Sequence, residues 1–288
     1  MKSLIKKIYY KIVNPYAFED TVNKVDRLKW SIRFQLAARG IYLTQNERRL
    51  AKLRDKHKGQ RCFIIGNGPS LNLLDLSKLK NEVTFGVNAI YLNYEKMGFY
   101  PTYYVVEDTL VAEDRGAEIN EYKGSLYKFY GAYLSYVLKP DDKTIFMHVV
   151  KNYADKANFP LFSKDCNKFL GVGGSVTFLC LQLAYYMGFK EVIMIGFDHN
   201  YVVPQSAIIT NKGETGFDIL STEDDQNHFT PSYFGKGYRW HDPQVERMEV
   251  GFKKARDTFE AEGRAVYNAT AGGKLEVFKR KNYNDLFL

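Results

Sequence analysis

Residues 61–70 read Arg61-Cys62-Phe63-Ile64-Ile65-Gly66-Asn67-Gly68-Pro69-Ser70. Four apolar residues run into two glycines, an asparagine, a proline and a serine, and a helical pattern starts at Leu71. A continuous apolar run of this length suits a strand buried on both faces of a parallel sheet. A strand that breaks on glycine and passes to a helix start exposes backbone N–H groups where an anion can sit. Gly66 and Gly68 allow close backbone approach, Pro69 suits a first helical turn, and Ser70 adds a hydroxyl. The spacing is neither GxGxxG nor GxxxxGK[ST], because no Lys follows the turn. The bland alternative is an ordinary tight βα turn.

Outward from this turn the chain alternates. Strands are expected at 61–65, 83–87, 102–106, 144–149, 191–197 and 265–268, with helices after 70, over 174–187 and over 243–262. Such alternation predicts an α/β fold: a Rossmann-like, mostly parallel sheet with helices on both faces. Ligands of such sheets lie beyond the C-terminal strand ends. That places Asn67, Ser70, Asn88, Glu107, Asp108, Asp198 and His199 among the candidates. Gly171-Val172-Gly173-Gly174-Ser175 opens the 174–187 helix as a second glycine-serine terminus suited to phosphate or carboxylate. Asp108 and Asp198 suit a ribose hydroxyl or Mg²⁺, and equally a structural cap.

Residues 198–242 are polar, glycine-containing and aromatic, too long for an idle connection. Phe229, Tyr233, Phe234, Tyr238 and Trp240 argue against disorder, so a partly ordered lid over the strand ends is expected. His228 lies within it. A lid histidine beside an anion site is a natural general acid or base, while an ordinary surface histidine is the alternative. No GxSxG elbow supports a hydrolase. No Cys/His spacing supports zinc.

The 288 residues carry a net charge of +8, unevenly placed. Residues 1–60 hold 15 Lys+Arg against 5 Asp+Glu, and the remainder holds 26 against 28. A near-neutral body argues against nucleic acid as a partner. The basic excess predicts an extension over 1–58 and a catalytic domain over 59–288. Leu4, Ile5, Ile8, Tyr9, Ile12 and Val13 share one helical face, with lysines opposite. Residues 1–15 therefore suit an anionic membrane surface, or equally packing on the body or on a partner. Further basic helices are expected over 18–57, with Leu28, Ile32, Phe34, Leu36 and Ile41 as apolar positions. Cys62, Cys166 and Cys180 are scattered, as in a reducing compartment.

The motifs FIIGNGPSL, GVNAIYL, GVGGSVTFL, GFKEVIMIGFDHNY, NHFTPSYFGKG and YNATAGGKLEVF, spread over residues 61–288, resemble the MptE-like family. That family includes archaeal 6-hydroxymethylpterin diphosphokinases and the central domain of motility-associated flagellin glycosyltransferases. The same motif order is similar to bacterial CMP-sialic acid sialyltransferases. The latter resemblance implies that Gly66, Asn67, Gly68, Pro69 and Ser70 line nucleotide phosphate and ribose, and that Asn88 contacts phosphate. It implies that Ser175 meets the donor's carboxylate or phosphate. His228 takes the place of the general base, and Tyr201 and Tyr233 approximately match tyrosines on the departing phosphate.

The expected function is a glycosyltransferase in surface glycan synthesis, using a nucleotide-sugar donor, CMP-linked in one version. Its acceptor would be a glycan or lipid-linked, and no cofactor would be required. The alternatives are a Mg²⁺-dependent diphosphokinase, with Asp108 and Asp198 as metal ligands, and a non-enzymatic nucleotide-binding scaffold. The basic extension favours a cytoplasmic protein held peripherally at the membrane, since a soluble pterin needs no membrane. The sequence leaves room for a homo-oligomer.

Overall fold

The computed structural model describes residues 28–213 and 216–288. The amphipathic segment 1–15 lies outside them. Residues 28–37 form a helix (α1), followed by α2 at Gln45–Ala51. Strands β1 (Arg61–Ile65), β2 (Thr84–Val87), β3 (Tyr103–Val106), β4 (Tyr127–Gly131) and β5 (Thr144–Met147) then step across one sheet. Helix α3 (Thr109–Glu121) connects β3 to β4. After β5 come the short strands β6 (Val149–Val150) and β7 (Leu170–Gly171), which pair with each other outside the main sheet. Helix α4 (Val176–Tyr186) leads to β8 (Glu191–Ile195). Strands β9 (Ile208–Gly213), β10 (Gly216–Leu220) and β11 (Arg239–His241) form a small antiparallel sheet. Helix α5 (Val245–Glu260), β12 (Ala265–Asn268) and β13 (Lys279–Arg280) close the chain.

The main sheet has eight strands in the order β13-β12-β8-β1-β2-β3-β4-β5, with parallel pairing throughout. The expected Rossmann-like fold class is therefore present. The order runs outward one way from β1 to β5, then returns to β8 on the other side of β1. Strands β1 and β8 thus flank the switch point, where a crevice opens beyond the strand ends. Along β1 the side chains alternate between two cores. Cys62 and Ile64 join α4 and α5 on one face. Phe63 and Ile65 face Leu71, α3 residues Val111 and Ala112, and lid residues Tyr233, Phe234 and Trp240 on the other. Each such buried side chain contributes about 1.5–3 kcal/mol.

Several expectations change. Strand β4 was not foreseen: its sequence YKFYG alternates less cleanly, because buried Lys128 sits within it, 1% exposed and 2.6 Å from Asp141. The strand expected over 144–149 stops at Met147, and the carbonyl of His148 accepts from Leu170 instead. The helix expected after 70 is only a 3₁₀ turn, Pro69–Leu73. In α1 the inward side chains include Trp30, Phe34 and Ala37, whereas Leu28 and Ile32 face outward, as does Ile41 beyond it. No helix among the described residues is long and apolar enough to cross a membrane.

Candidate functional site

A cavity of about 420 Å³ opens at the switch point. That is within the range of small-molecule sites, roughly 300–1,000 Å³. Of the residues singled out in the sequence, Gly66, Asn67, Gly68, Asn88, Asp108, Gly174, Ser175, Asp198, Tyr201, His228 and Tyr233 line it. Pro69, Ser70 and Gly173 do not. Glu107 and His199 also reach it.

The glycine turn after β1 differs from an open amide cradle. The Gly66 N–H donates to Ile195 O at 2.8 Å, and Gly68 N–H donates to Gly196 O at 2.9 Å. Ser70 gives its N–H and its hydroxyl to the Asp198 carboxylate, the hydroxyl at 2.6 Å. These donors are committed within the protein, so the turn serves to weld β1 to β8. Gly68 is needed because a Cβ there would overlap the Asp198 carboxylate. Asp198 is thus a bracing group for the turn. Asp108 caps α3, accepting from Val111 N–H at 3.1 Å. Ser175 caps α4, accepting from Thr177 N–H at 3.3 Å. Gly174 takes φ +85°, a left-handed value that glycine adopts freely.

The lid carries a pair that the sequence reading only half found. His228 Nδ1 lies 2.7 Å from Asp225 Oδ2. The ring stacks on Tyr233, with centroids 4.0 Å apart and an interplanar angle of 5°, and meets Phe234 edge-on. Burial works to raise the Asp225 carboxyl. His228 and the amides of Asn227 and Phe234 outweigh it and hold that carboxyl below its usual range. An ionised Asp225 accepts from Nδ1–H and so leaves Nε2 as the basic ring nitrogen. The local signal was present as Asp225-Gln226-Asn227-His228.

Tyr233 lines the cavity and is also tied to the body. Its hydroxyl accepts from Asn67 Nδ2 at 2.9 Å and from Ala89 N–H at 3.3 Å. Burial pushes that hydroxyl's pKa up, so it stays protonated. It forms the floor under His228. Tyr201, more than a third exposed, lines the rim. Its phenol is pushed up to about 12, first by loss of water around the hydroxyl and then by Asp198, so it stays a donor.

The lid is fixed to the body at several points. Phe229 N–H donates to Asn67 O, and Asn72 Nδ2 donates to Phe229 O, both at 2.9 Å. Arg115, 3% exposed at a kink in α3, donates to the carbonyls of Ser232 and Tyr233 at 2.7 Å each. Arg239 of β11 pairs with Asp114 and Glu113. His241 sits between Asp218 at 2.8 Å and Asp108 at 3.6 Å.

Two cations in the cavity wall escaped the sequence reading. Lys151 Nζ lies 3.9 Å from the centre of the Tyr133 ring, and the Arg247 guanidinium lies 5.0 Å from that of Tyr153. Arg247 also packs beside Gly174 at the start of α4. Neither follows a main-sheet strand by the rule used above, so no local signal marked them. Glu107, nearby, accepts from the Tyr133 hydroxyl at 2.7 Å. His199, in a left-handed conformation at φ +53°, lies 3.5 Å from Glu249. Burial lowers the His199 pKa, with Glu249 acting against it. Among the described residues no group of three His, Cys, Asp or Glu is placed to hold a metal ion.

No curated protein matches the sequence. Among solved structures, the MAf glycosyltransferase from Magnetospirillum magneticum AMB-1 superposes with a TM-score of 0.46 at 13% identity. The match covers 80% of this chain and 35% of that one, so the chain spans about a third of its length. A family model described as 6-hydroxymethylpterin diphosphokinase MptE-like matches residues 41–203, from α2 through β8 and into the start of the lid. With more than half of its length so matched, the chain belongs to the MptE-like family.

Proposed function

We propose that the protein is a transferase that moves a glycosyl group from a nucleotide-activated donor to an acceptor hydroxyl. The observation that carries this reading is the Asp225–His228 pair held over a cavity at the switch point of a parallel sheet. In this reading His228 Nε2 takes the proton of the acceptor hydroxyl. That oxygen forms a bond to the anomeric carbon as the bond from carbon to phosphate oxygen breaks, and the electron pair leaves with the phosphate. Lys151, Arg247 and the positive end of the α4 dipole would offset the charge on the leaving phosphate, and Tyr201 would donate to it. General-base assistance of this kind supplies about 10²–10⁴-fold in rate.

The diphosphokinase alternative draws on the family's description. It asks Asp108 and Asp198 to hold Mg²⁺ together. One caps α3 and the other takes both donors of Ser70, so this donor set does not fit such a site and no step is derived through it. Donor hydrolysis and sugar transfer, measured with CMP-, UDP- and GDP-sugars, test the reading. Transfer that falls at least 100-fold in Asp225→Asn and His228→Ala is expected. Pyrophosphate transfer from ATP, with no sugar transfer, would replace it by the alternative. A membrane contact through residues 1–15 belongs to the same proposal. It predicts that deleting them reduces sedimentation with anionic vesicles, and equal sedimentation would reject it.

A further inference from the structure

The lid carries a second aspartate–histidine pair besides Asp225–His228. His241, the last residue of β11, is in register with Asp218 of β10, and its Nδ1 lies 2.8 Å from Asp218 Oδ1. Its other ring nitrogen, Nε2, lies 3.6 Å from Asp108 Oδ1, beyond hydrogen-bond range. Half of the side chain is exposed, and the residue lines the cavity. The cap bond from Val111 N–H fixes the Asp108 carboxylate. Of the charged neighbours along the chain, Asp242 is taken by Gln244, and Arg239 by Asp114 and Glu113. The ring therefore stands between two carboxylates. N–H suits both of its nitrogens there, since a bare lone pair would face negative charge.

The two pairs stand at different strand ends. His228 stacks on Tyr233, whose hydroxyl meets Asn67 after β1 and Ala89 after β2. His241 stands beside Asp108, after β3. The adjacent Glu107 holds the Tyr133 hydroxyl, and Lys151 lies over that ring. Strand β11 leads into α5, whose first turn carries Arg247. His241 is thus tied to the part of the cavity wall that holds the two cations. We propose that His241 is a second catalytic residue, the general acid that protonates the departing phosphate. This rests on the transferase reading above and completes its proton transfers. As the bond from the anomeric carbon to the phosphate oxygen breaks, its electron pair stays on the oxygen, and the phosphate takes the Nε2 proton. His241 is left neutral and recovers its proton from water. His228 takes the proton of the acceptor hydroxyl, so one imidazole gains a proton while the other gives one up.

The test is the pH profile of transfer, or of donor hydrolysis, by the full chain with CMP-, UDP- or GDP-sugar, whichever the wild type turns over. The wild type should give a bell, falling at low pH as His228 takes up a proton and at high pH as His241 loses one. His241→Gln should lower kcat about 100-fold, keep the acid limb and lose the alkaline one, with nucleotide affinity within about 3-fold of wild type. Asp218→Asn keeps the ring and the shape of its neighbour but removes one charge. It should move the alkaline limb to lower pH, because the imidazolium loses an attractive partner. A His241→Gln protein that keeps the alkaline limb, or that works at the wild-type rate, overturns the proposal, even where His228→Ala abolishes transfer and so upholds the transferase reading. Should His241→Gln fail to fold, an unmoved alkaline limb in Asp218→Asn overturns it instead. If the wild type turns over none of the three donors, it is the transferase reading that fails, and the proposal falls with it.

Discussion

The glycine turn after β1 and the histidine loop of the lid line one cavity, yet they are built on opposite principles. The turn looks like a ligand cradle in sequence, but the Gly66, Gly68 and Ser70 amides and the Ser70 hydroxyl are committed to Ile195, Gly196 and Asp198. The lid looks irregular in sequence. Its polar groups nevertheless hold one imidazole with a carboxylate behind it, a tyrosine beneath it and Nε2 left over. Glycine content alone therefore says where a backbone must come close, not whether a ligand or the protein itself is what it approaches. A change in the turn should cost stability first, and a change in the lid pair should cost turnover first.

The sharpest way to break that contrast is His228→Ala. Transfer should fall by about 10²–10⁴-fold while nucleotide affinity stays close to wild type. A transfer rate near wild type would take His228 out of the mechanism and make the lid pair structural. Gly68→Val tests the other side. A phosphate cradle at this turn would make it block nucleotide binding in an intact fold. The overlap with Asp198 now predicts a loss of about 3 kcal/mol in urea unfolding. A stable Gly68→Val protein that has lost only binding would restore the turn as a cradle.

Arg115→Met sharpens the comparison where the two regions are joined. It leaves the carbonyls of Ser232 and Tyr233 without their charged donor and should cost about 1.5–3 kcal/mol. Proteolysis should then cut first within 198–242, and a uniform loss of protection would mean that the lid and body unfold together. The smallest effect concerns His199. Burial disfavours its imidazolium in the folded state, so its folded pKa lies below the unfolded value of about 6.5. Above that value the ring is neutral in both states and costs nothing. As pH falls through it, the unfolded chain takes up the proton first and stability declines, by at most about 1.4 kcal/mol per pH unit. Melting temperature should drop less between pH 7.5 and 5.5 in His199→Asn than in wild type. Equal slopes would assign the pH dependence to other groups.

Much of the site was legible because strand ends are local features. Asn67, Asn88, Asp108, Asp198 and His199 were found by reading the polar residues that follow apolar runs, and all five line the cavity. Lys151 and Arg247 were not found. They reach the cavity from a loop after β6 and from the first turn of α5, where no local pattern distinguishes a lining cation from a solvated one. Asp225 was missed for a related reason. Its spacing from His228 was visible, but many carboxylates sit three residues from a histidine without touching it.

The sequence by itself determined the α/β class, most of the parallel strands, the glycine turns between them, and two helices, expected over 174–187 and 243–262 and found at 176–186 and 245–260. These follow from side-chain periodicity and backbone permissiveness, which act over a few residues. Only the tertiary structure decided the strand order that sets β8 beside β1, and with it which partners the turn amides would find. It also decided that the segment 198–242 contributes a three-stranded sheet, with Arg239 of β11 paired to Asp114 and the carbonyls of Ser232 and Tyr233 held by Arg115. Hydrogen bonds of buried groups are satisfied by whatever the fold brings near. Whether a glycine-rich turn is a ligand site or a structural weld is therefore settled by strands more than a hundred residues away in the chain.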